Sequence, residues 1–287
     1  GVINPTQHRM QLNMSNELTM SFLTALLVLV GIAQIRMLFS QKHQNQLALL
    51  QDYRNRWWSL KKQWAKVVYI GRGENEYYQV ADQAQLTELN KLKVDYSLSL
   101  PTVWALESVR EVSNIFSDIC IRILQGHLDI KDVYPIFGSE LLRQGRPLRV
   151  LLDVYYPQDH DPIETRAHKG IRREVQDWLI YHDGIRRRCL ILIDLLWAEG
   201  VRLGDICPTD IKKAAIAKVH TAKKINHRLS EEIRKVNGSM SLIKIVTLKR
   251  HLKHAQYRKG FWEHGLDEVE LDEREKKWVV MLLRDYS

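Results

Sequence analysis

The 287-residue chain is poor in the residues and motifs that mark disulfide frameworks, β-sheets and common active sites. Its three cysteines, Cys120, Cys189 and Cys207, are odd in number and widely spaced, which excludes a disulfide framework and fits a reducing compartment. It contains no P-loop, no G-x-S-x-G element and no paired-cysteine zinc pattern. Strand signals are scarce, whereas helical periods and caps are plentiful. We therefore expect an all-α protein that is not an enzyme and uses no cofactor.

Charge is missing from one stretch near the N-terminus, Leu18 to Ile35. Its 18 residues hold no Asp, Glu, Lys, Arg or His. As a helix the stretch measures roughly 27 Å, and its apolar character continues to Phe39, which matches the roughly 30 Å hydrocarbon core of a bilayer. A buried core helix is the alternative, but such helices usually carry a polar stripe. No small-x-small cleavage site follows, so we predict an uncleaved transmembrane helix at 18–39.

Positive side chains are more numerous after this span than before it. Arg9 and Glu17 cancel in the preceding tail, whereas only Asp52 opposes the positive residues that follow, which are Arg36, Lys42, Arg54 and Arg56. The positive-inside rule then places 1–17 outside and the rest of the chain on the cytoplasmic side of a bacterial inner membrane.

The segment 40–70 is predicted to continue the membrane helix as a stalk. No Gly or Pro interrupts it before Tyr69, and its apolar residues recur at alternating spacings of three and four, typical of a coiled-coil seam. We expect copies of the chain to associate through this seam into a homo-oligomer. The alternative is an amphipathic helix that packs on its own domain. The seam residues are Leu50, Tyr53, Trp57, Leu60 and Trp64.

Two helical domains are expected after the stalk, at 71–156 and 163–287. The boundary lies at the Pro- and Asp-rich segment Tyr156–Pro162. Within the first domain, SNIFSDICIRILQGHLDIKDVYPIFGSELLRQ (residues 113–144) has a helix that ends at glycine, an acidic start to the next helix, and a short FGS helix. With the span and stalk, it resembles uncharacterised single-span bacterial membrane proteins over about residues 15–155. The resemblance implies a helical cytosolic domain without catalytic residues.

Basic residues are concentrated in the second domain. Between Lys212 and Lys259 there are fourteen Lys and Arg against two Glu, a net charge of +12, which exceeds the +9 of the whole chain. We predict that they bind a polyanion, either an oligonucleotide or the anionic lipid of the inner leaflet. A solvated charged face is the alternative. The candidate ligand-binding residues are Lys212, Lys213, Lys223, Lys224, Arg228, Lys249, Arg250 and Lys253, together with Arg186, Arg187 and Arg188.

Two weaker motifs in this domain are not assigned a function. The pair His251 and His254 has helical spacing suitable for a metal, but the neighbouring lysines repel a cation. The segment around Arg202 resembles the first-arginine turn of tyrosine recombinases, yet the remaining motifs of that family do not follow in order. We expect no metal site.

A single helix cannot form a pore, but several copies with Ser21, Thr24 and Gln34 turned inward could. In organisation the chain resembles the membrane effectors of bacterial antiphage systems, such as the Hailong effector, a tetrameric channel held by DNA oligomers. The resemblance implies an oligomeric channel controlled by an oligonucleotide that a partner enzyme synthesises. The alternative is a non-catalytic tether or scaffold that holds nucleic acid or anionic lipid at the membrane.

Overall fold

The structure is a computed structural model that describes residues 5–71, 84, 87, 100–153, 166–238, 241–260 and 262–286. Side chains are described from residue 20 onward within these ranges, apart from 100–104, 166–170, 217, 219, 220, 285 and 286. Every regular element in the described part of the chain is helical, as the sequence predicts. The predicted boundary at 156–162 lies outside the described residues.

Helix α1 extends from Pro5 to Ser59 and contains the predicted span. Its most apolar window has a mean hydropathy of 2.1, and none of that window is buried. Within the described ranges, α1 is the one helix long and apolar enough to cross a membrane. The helix also includes residues of the predicted outer tail from Pro5 onward. The chain divides into two compact units, the first ending at Gln51 and the second beginning at Asp52.

The second unit is a bundle of helices. Helix α7 lies at its centre, because its run CLILIDLL is apolar on nearly every side and is buried on all of them. Helices α3 and α4 pack on α7, and α8 contacts both α3 and α7. The elements are α2 Lys61–Gly71, α3 Leu100–Gln125, α4 Ile130–Arg143, α5 Gly145–Leu152, α6 Arg166–Tyr181, α7 Asp183–Leu203, α8 Pro208–Asn237, α9 Leu242–Leu252, a 3₁₀ turn Lys253–Ala255, and α10 Glu268–Tyr286.

These contacts correct the predicted division into two domains at 71–156 and 163–287. The helices on either side of the predicted boundary share one core, in which α3 and α4 supply one side and α7 the other. At Gly200 of α7 a Cβ atom would lie 2.8 Å from the Tyr134 hydroxyl and 2.9 Å from the Leu142 side chain of α4. A larger residue at position 200 would therefore require the Tyr134 and Leu142 side chains to shift.

The predicted stalk is also corrected. A turn at Leu60 separates α1 from α2, and the side chains of Tyr53, Trp57 and Trp64 are at most 2% exposed within the same protomer. Trp57 and Trp64 pack on Phe116 of α3. The alternative that the helix packs on its own domain is therefore the one the structure shows, and these three residues are unavailable for contacts between copies.

Helix α4 continues through two residues that often end helices. Pro135 and Gly138 are inside α4 and do not break it; Pro135 is exposed, so water can satisfy the Lys131 carbonyl that it leaves without a donor. Helix α9 ends at Leu252. The chain then turns back, and the amide of Leu266 donates to the carbonyl of Gln256 at 2.8 Å.

Candidate polyanion-binding surface

Helix α8 carries a row of exposed basic side chains along one face. It begins at Pro208, whose missing N–H costs nothing in a first turn, and ends at Gly238, which takes the left-handed conformation with φ 66°. At about 100° per residue the exposed basic side chains fall within an arc of about 120°, over a length of about 33 Å. We call this set the α8 stripe: Lys213, Lys223, Lys224, His227, Arg234 and Lys235.

The opposite face of α8 is apolar and buried, with Ala215, Ile225, Leu229 and Ile233 facing the core. Burial of this face holds the stripe toward solvent. Glu231 lies in the middle of the stripe and accepts a hydrogen bond from Lys235 at 2.6 Å.

Four cations of the stripe have no charged partner in the part of the chain that the structure describes. Among the described residues, none forms a hydrogen bond or ion pair with Lys213, Lys223, Lys224 or Arg234. The stripe therefore keeps a positive charge available for an external anion.

The three arginines at the start of α7 form internal ion pairs instead. The Glu232 carboxylate, 1% exposed, accepts hydrogen bonds from Arg187 Nε and from an Arg188 terminal nitrogen, both at 3.1 Å. Arg188 Nε also donates to Ser117 Oγ at 2.7 Å, and Arg186 pairs with Asp183. Arg187 and Arg188, predicted to bind a ligand, join α7 to α8 and α3 in the described geometry, and Arg186 pairs within α7.

Two further predicted ligand residues lie off the stripe. Lys212 Nζ donates to Asp272 at 2.6 Å and to Glu275 at 3.3 Å, which joins α8 to α10. Arg228 is half-buried, and burial lowers the pKa of its guanidinium. The Lys212 charge is thus neutralised internally, and Arg228 is only partly accessible.

The remaining predicted ligand residues lie on or beside α9. Lys249 is half-buried, whereas Arg250 and Lys253 are exposed. Arg250 contacts His264, and Lys253 Nζ lies 3.6 Å from a Glu263 carboxylate oxygen. These three residues form a surface of their own and are not part of the α8 stripe.

Sequence reasoning missed a buried charged cluster between α5, α7 and α8. Arg149 donates to the buried Asp194 carboxylate at 3.2 Å. Lys218 lies nearby with its ammonium 5.5 Å from the centre of the Trp197 ring, and burial lowers the pKa of Lys218 to about 8. Asp194 interrupts the apolar run of α7, which is the one signal in the sequence that could have pointed to it.

The histidines near α9 are structural in the described geometry. His251 Nε2 lies 3.2 Å from the Leu195 carbonyl and 3.8 Å from Glu199, and burial lowers the pKa of His251. Arg202 donates to both oxygens of Glu199 at 2.7 and 2.6 Å, so its guanidinium is held by that carboxylate. No metal-binding group of three His, Cys, Asp or Glu occurs among the described residues.

The predicted pore residues separate into two places on α1. Ser21 and Thr24 line one shallow groove on the helix surface together with Met20, Ala25, Val28 and Leu29, and Gln34 is not part of it. The Thr24 hydroxyl donates to the Met20 carbonyl at 2.8 Å. The groove therefore presents methyl and methylene groups more than free hydroxyls.

No protein-family model, curated protein or solved structure matches the chain. A function is therefore inferred from two features, the exposed apolar segment of α1 and the α8 stripe.

Proposed function

We propose that the protein is anchored in a membrane by α1 and binds a linear polyanion of the oligonucleotide class on the α8 stripe. The observation that carries this proposal is the row of four unpaired cations, Lys213, Lys223, Lys224 and Arg234, on one exposed face of a helix. The predicted cations Arg187, Arg188 and Lys212 pair with carboxylates, whereas these four have no such partner among the described residues.

The shape of the stripe favours a linear ligand over a compact one. A strand of duplex DNA carries one phosphate per 3.4 Å of axis, so a row about 33 Å long matches roughly ten phosphates. Lysine and arginine bind phosphates largely without regard to base sequence. The stripe therefore suits a short nucleic acid of varied sequence.

The proposal extends to an effector role at the membrane. Copies of α1 that assemble with Ser21 and Thr24 facing each other would enclose a mostly apolar channel, which can close by loss of water. Control of such a channel by an oligonucleotide, supplied by a synthesising enzyme, is the organisation of the antiphage membrane effectors. The competing function is a tether that leaves the membrane intact.

Ligand binding is tested by a triple variant, Lys223→Gln, Lys224→Gln and Arg234→Gln, in the detergent-solubilised full chain. Affinity for short single-stranded DNA or RNA is measured across salt concentrations. Loss of three phosphate contacts should flatten the slope of log affinity against log salt by about two units, since each contact on a single strand contributes about 0.7. The matched control neutralises three exposed cations elsewhere, Lys62, Arg110 and Arg173, and should keep the slope.

Equal slopes for the triple variant and the wild type would contradict a role for the stripe. A wild-type protein that binds neither DNA nor RNA would end the oligonucleotide proposal.

The effector and tether readings differ in their effect on membrane potential. Expression of the effector should collapse the potential rapidly, and Thr24→Lys should change the ion selectivity of the current while Thr24→Leu leaves it nearly unchanged. Potential that survives high expression would support the tether. Identical currents for both Thr24 variants would show that this face lines no pore.

A further inference from the structure

Helix α9 exposes a face on which apolar side chains are followed by basic ones. Leu242, Ile243 and Val246 are 64%, 82% and 65% exposed. At about 100° per residue, these side chains and those of Lys249, Arg250 and Lys253 fall within an arc of about 120°. Lys253 keeps helical geometry just beyond the end of α9. We call this set of six residues the α9 face.

The other side of α9 is attached to the body of the second unit. Ile245 and Leu252 are buried there, the Lys244 ammonium donates to the Gln125 carbonyl of α3, and His251 lies beside the Leu195 carbonyl of α7. These contacts fix the rotation of α9 about its axis, so the α9 face is held outward in a defined orientation.

We propose that the α9 face docks on the surface of an anionic bilayer. Three neighbouring aliphatic side chains at this exposure need an apolar phase, and lipid provides one just below its charged headgroups. The cations on the same face complement the negative surface potential of anionic lipid. Lys249 and Arg250 have no carboxylate partner among the described residues, whereas Lys253 lies 3.6 Å from Glu263. The arrangement is that of a short interfacial helix, with its apolar end inserted and its basic end at the headgroups.

Other occupants fit the α9 face less well. A second copy packed on the same face would bring six cations to one interface, where like charges repel and charged residues are normally depleted. Nucleic acid offers phosphates to Lys249, Arg250 and Lys253 but no acyl layer for Leu242, Ile243 and Val246. The combination of the two residue classes on one face selects lipid.

This inference rests on the proposed anchoring by α1, which keeps the chain at a bilayer, and does not depend on ligand binding by the α8 stripe. Membrane contact through α9 would add a second, charge-dependent attachment to that of the span. Lipid composition could then control how the second unit is held at the membrane.

The test uses the full chain carrying Cys207→Ser and Val246→Cys, labelled at residue 246 with an environment-sensitive fluorophore. Cys120 and Cys189 are fully buried, and burial raises the pKa of both thiols, so they should not be labelled in the folded protein. The protein is reconstituted into vesicles of phosphatidylcholine alone and of phosphatidylcholine with phosphatidylglycerol. Flotation of the vesicles first checks anchoring, which should be the same for both compositions.

Emission from the label at residue 246 should shift to shorter wavelength in the vesicles that contain phosphatidylglycerol. Salt at 1 M should reverse the shift, because the Debye screening length falls from about 10 Å at 0.1 M to about 3 Å at 1 M. Reversing the charges with Lys249→Glu, Arg250→Glu and Lys253→Glu should abolish it, whereas Lys249→Arg with Lys253→Arg should keep it. A label at Glu174→Cys, on the exposed side of α6, should not respond.

Four results would overturn the inference. No shift in either vesicle would show that the α9 face stays in water. A shift that depends on the protein-to-lipid ratio and not on phosphatidylglycerol would indicate that a second copy covers the α9 face. A shift produced by added oligonucleotide, without anionic lipid, would indicate that nucleic acid covers it. Failure to float with either vesicle would contradict the anchoring itself, and with it this inference.

Discussion

The rings of Trp57 and Phe116 lie with their centroids 5.5 Å apart, which joins the C-terminal end of α1 to the middle of α3. Trp57 also packs on Trp64 and on Phe137, and its indole nitrogen donates to Glu140 at 3.3 Å. The seam that resembles a coiled-coil interface in the sequence is thus part of the core of one protomer.

Replacement of Trp57 by alanine should lower the free energy of unfolding by about 3–5 kcal/mol, the usual cost of removing a buried aromatic side chain. Its neighbour Trp58 is the matched control, since it is 61% exposed and the Lys61 ammonium lies over its ring at 4.1 Å. Trp58→Ala should change stability by about 0.5 kcal/mol or less. Denaturant unfolding of both variants, followed by the loss of helical signal, gives the comparison.

A change in particle mass without a change in stability would support the hypothesis that this seam joins copies of the chain. In that case Trp57→Ala would reduce the mass of the particle by light scattering while the unfolding midpoint stays at the wild-type value.

Glu231 and Glu232 are adjacent in sequence but differ in their surroundings. Glu232 is buried and holds two arginines, whereas Glu231 pairs with Lys235 at the surface of α8. Glu232→Gln should destabilise the protein by about 3 kcal/mol, the lower end of the range for a broken buried ion pair, because the arginines keep some contact with water. Glu231→Gln should leave the unfolding midpoint nearly unchanged.

The same denaturant series compares these two variants. Equal effects would show that the Glu232 cluster contributes no more than a surface pair. A more stable Glu231→Gln variant with stronger oligonucleotide binding would fit removal of the one negative charge within the α8 stripe.

Burial raises the pKa of the Cys189 thiol from about 9 to about 12. The folded protein therefore keeps a proton on Cys189 that the unfolded chain releases above pH 9, so this contribution to stability is complete below pH 9 and is lost as the pH rises toward 12. Cys189→Ala should remove it. The difference in unfolding free energy between wild type and variant should shrink from pH 9 upward, at a rate approaching about 1.4 kcal/mol per pH unit.

Lys218 acts in the opposite direction, because burial lowers its pKa to about 8 and the folded state then gains stability as the pH rises through the range from 8 to 10.5. Lys218 is present in both proteins, so its contribution cancels in the difference. Parallel stability curves from pH 8 to 10.5 would contradict the assignment to Cys189.

Local sequence patterns predicted the helices better than they predicted which residues contact each other in the folded protein. The start of α8 at Pro208, its end near Gly238 and its apolar seam through Ala215, Leu229 and Ile233 follow from helix caps and a period of three to four residues. The candidate ligand residues were predicted from charge density alone, and only part of that set, with Lys213, Lys223 and Lys224 at its centre, proved to be both exposed and unpaired. Charge density cannot separate these from Arg188 or Lys212, because the neutralising carboxylates lie 44 and 60 residues further along the chain.

By itself, the sequence determined the all-α class and the apolar segment of α1 with its capacity to cross a membrane, because helix periodicity, caps and uninterrupted hydrophobicity act over a few turns of chain. Only the tertiary structure decided which apolar seams face the protomer's own core and which cations remain available. Trp57 is buried because the rings of Phe116 and Phe137 pack against it. The charge of Arg188 is neutralised because it donates a hydrogen bond to Glu232 of α8. Burial and ion pairing depend on residues distant in sequence, and no local pattern encodes their meeting.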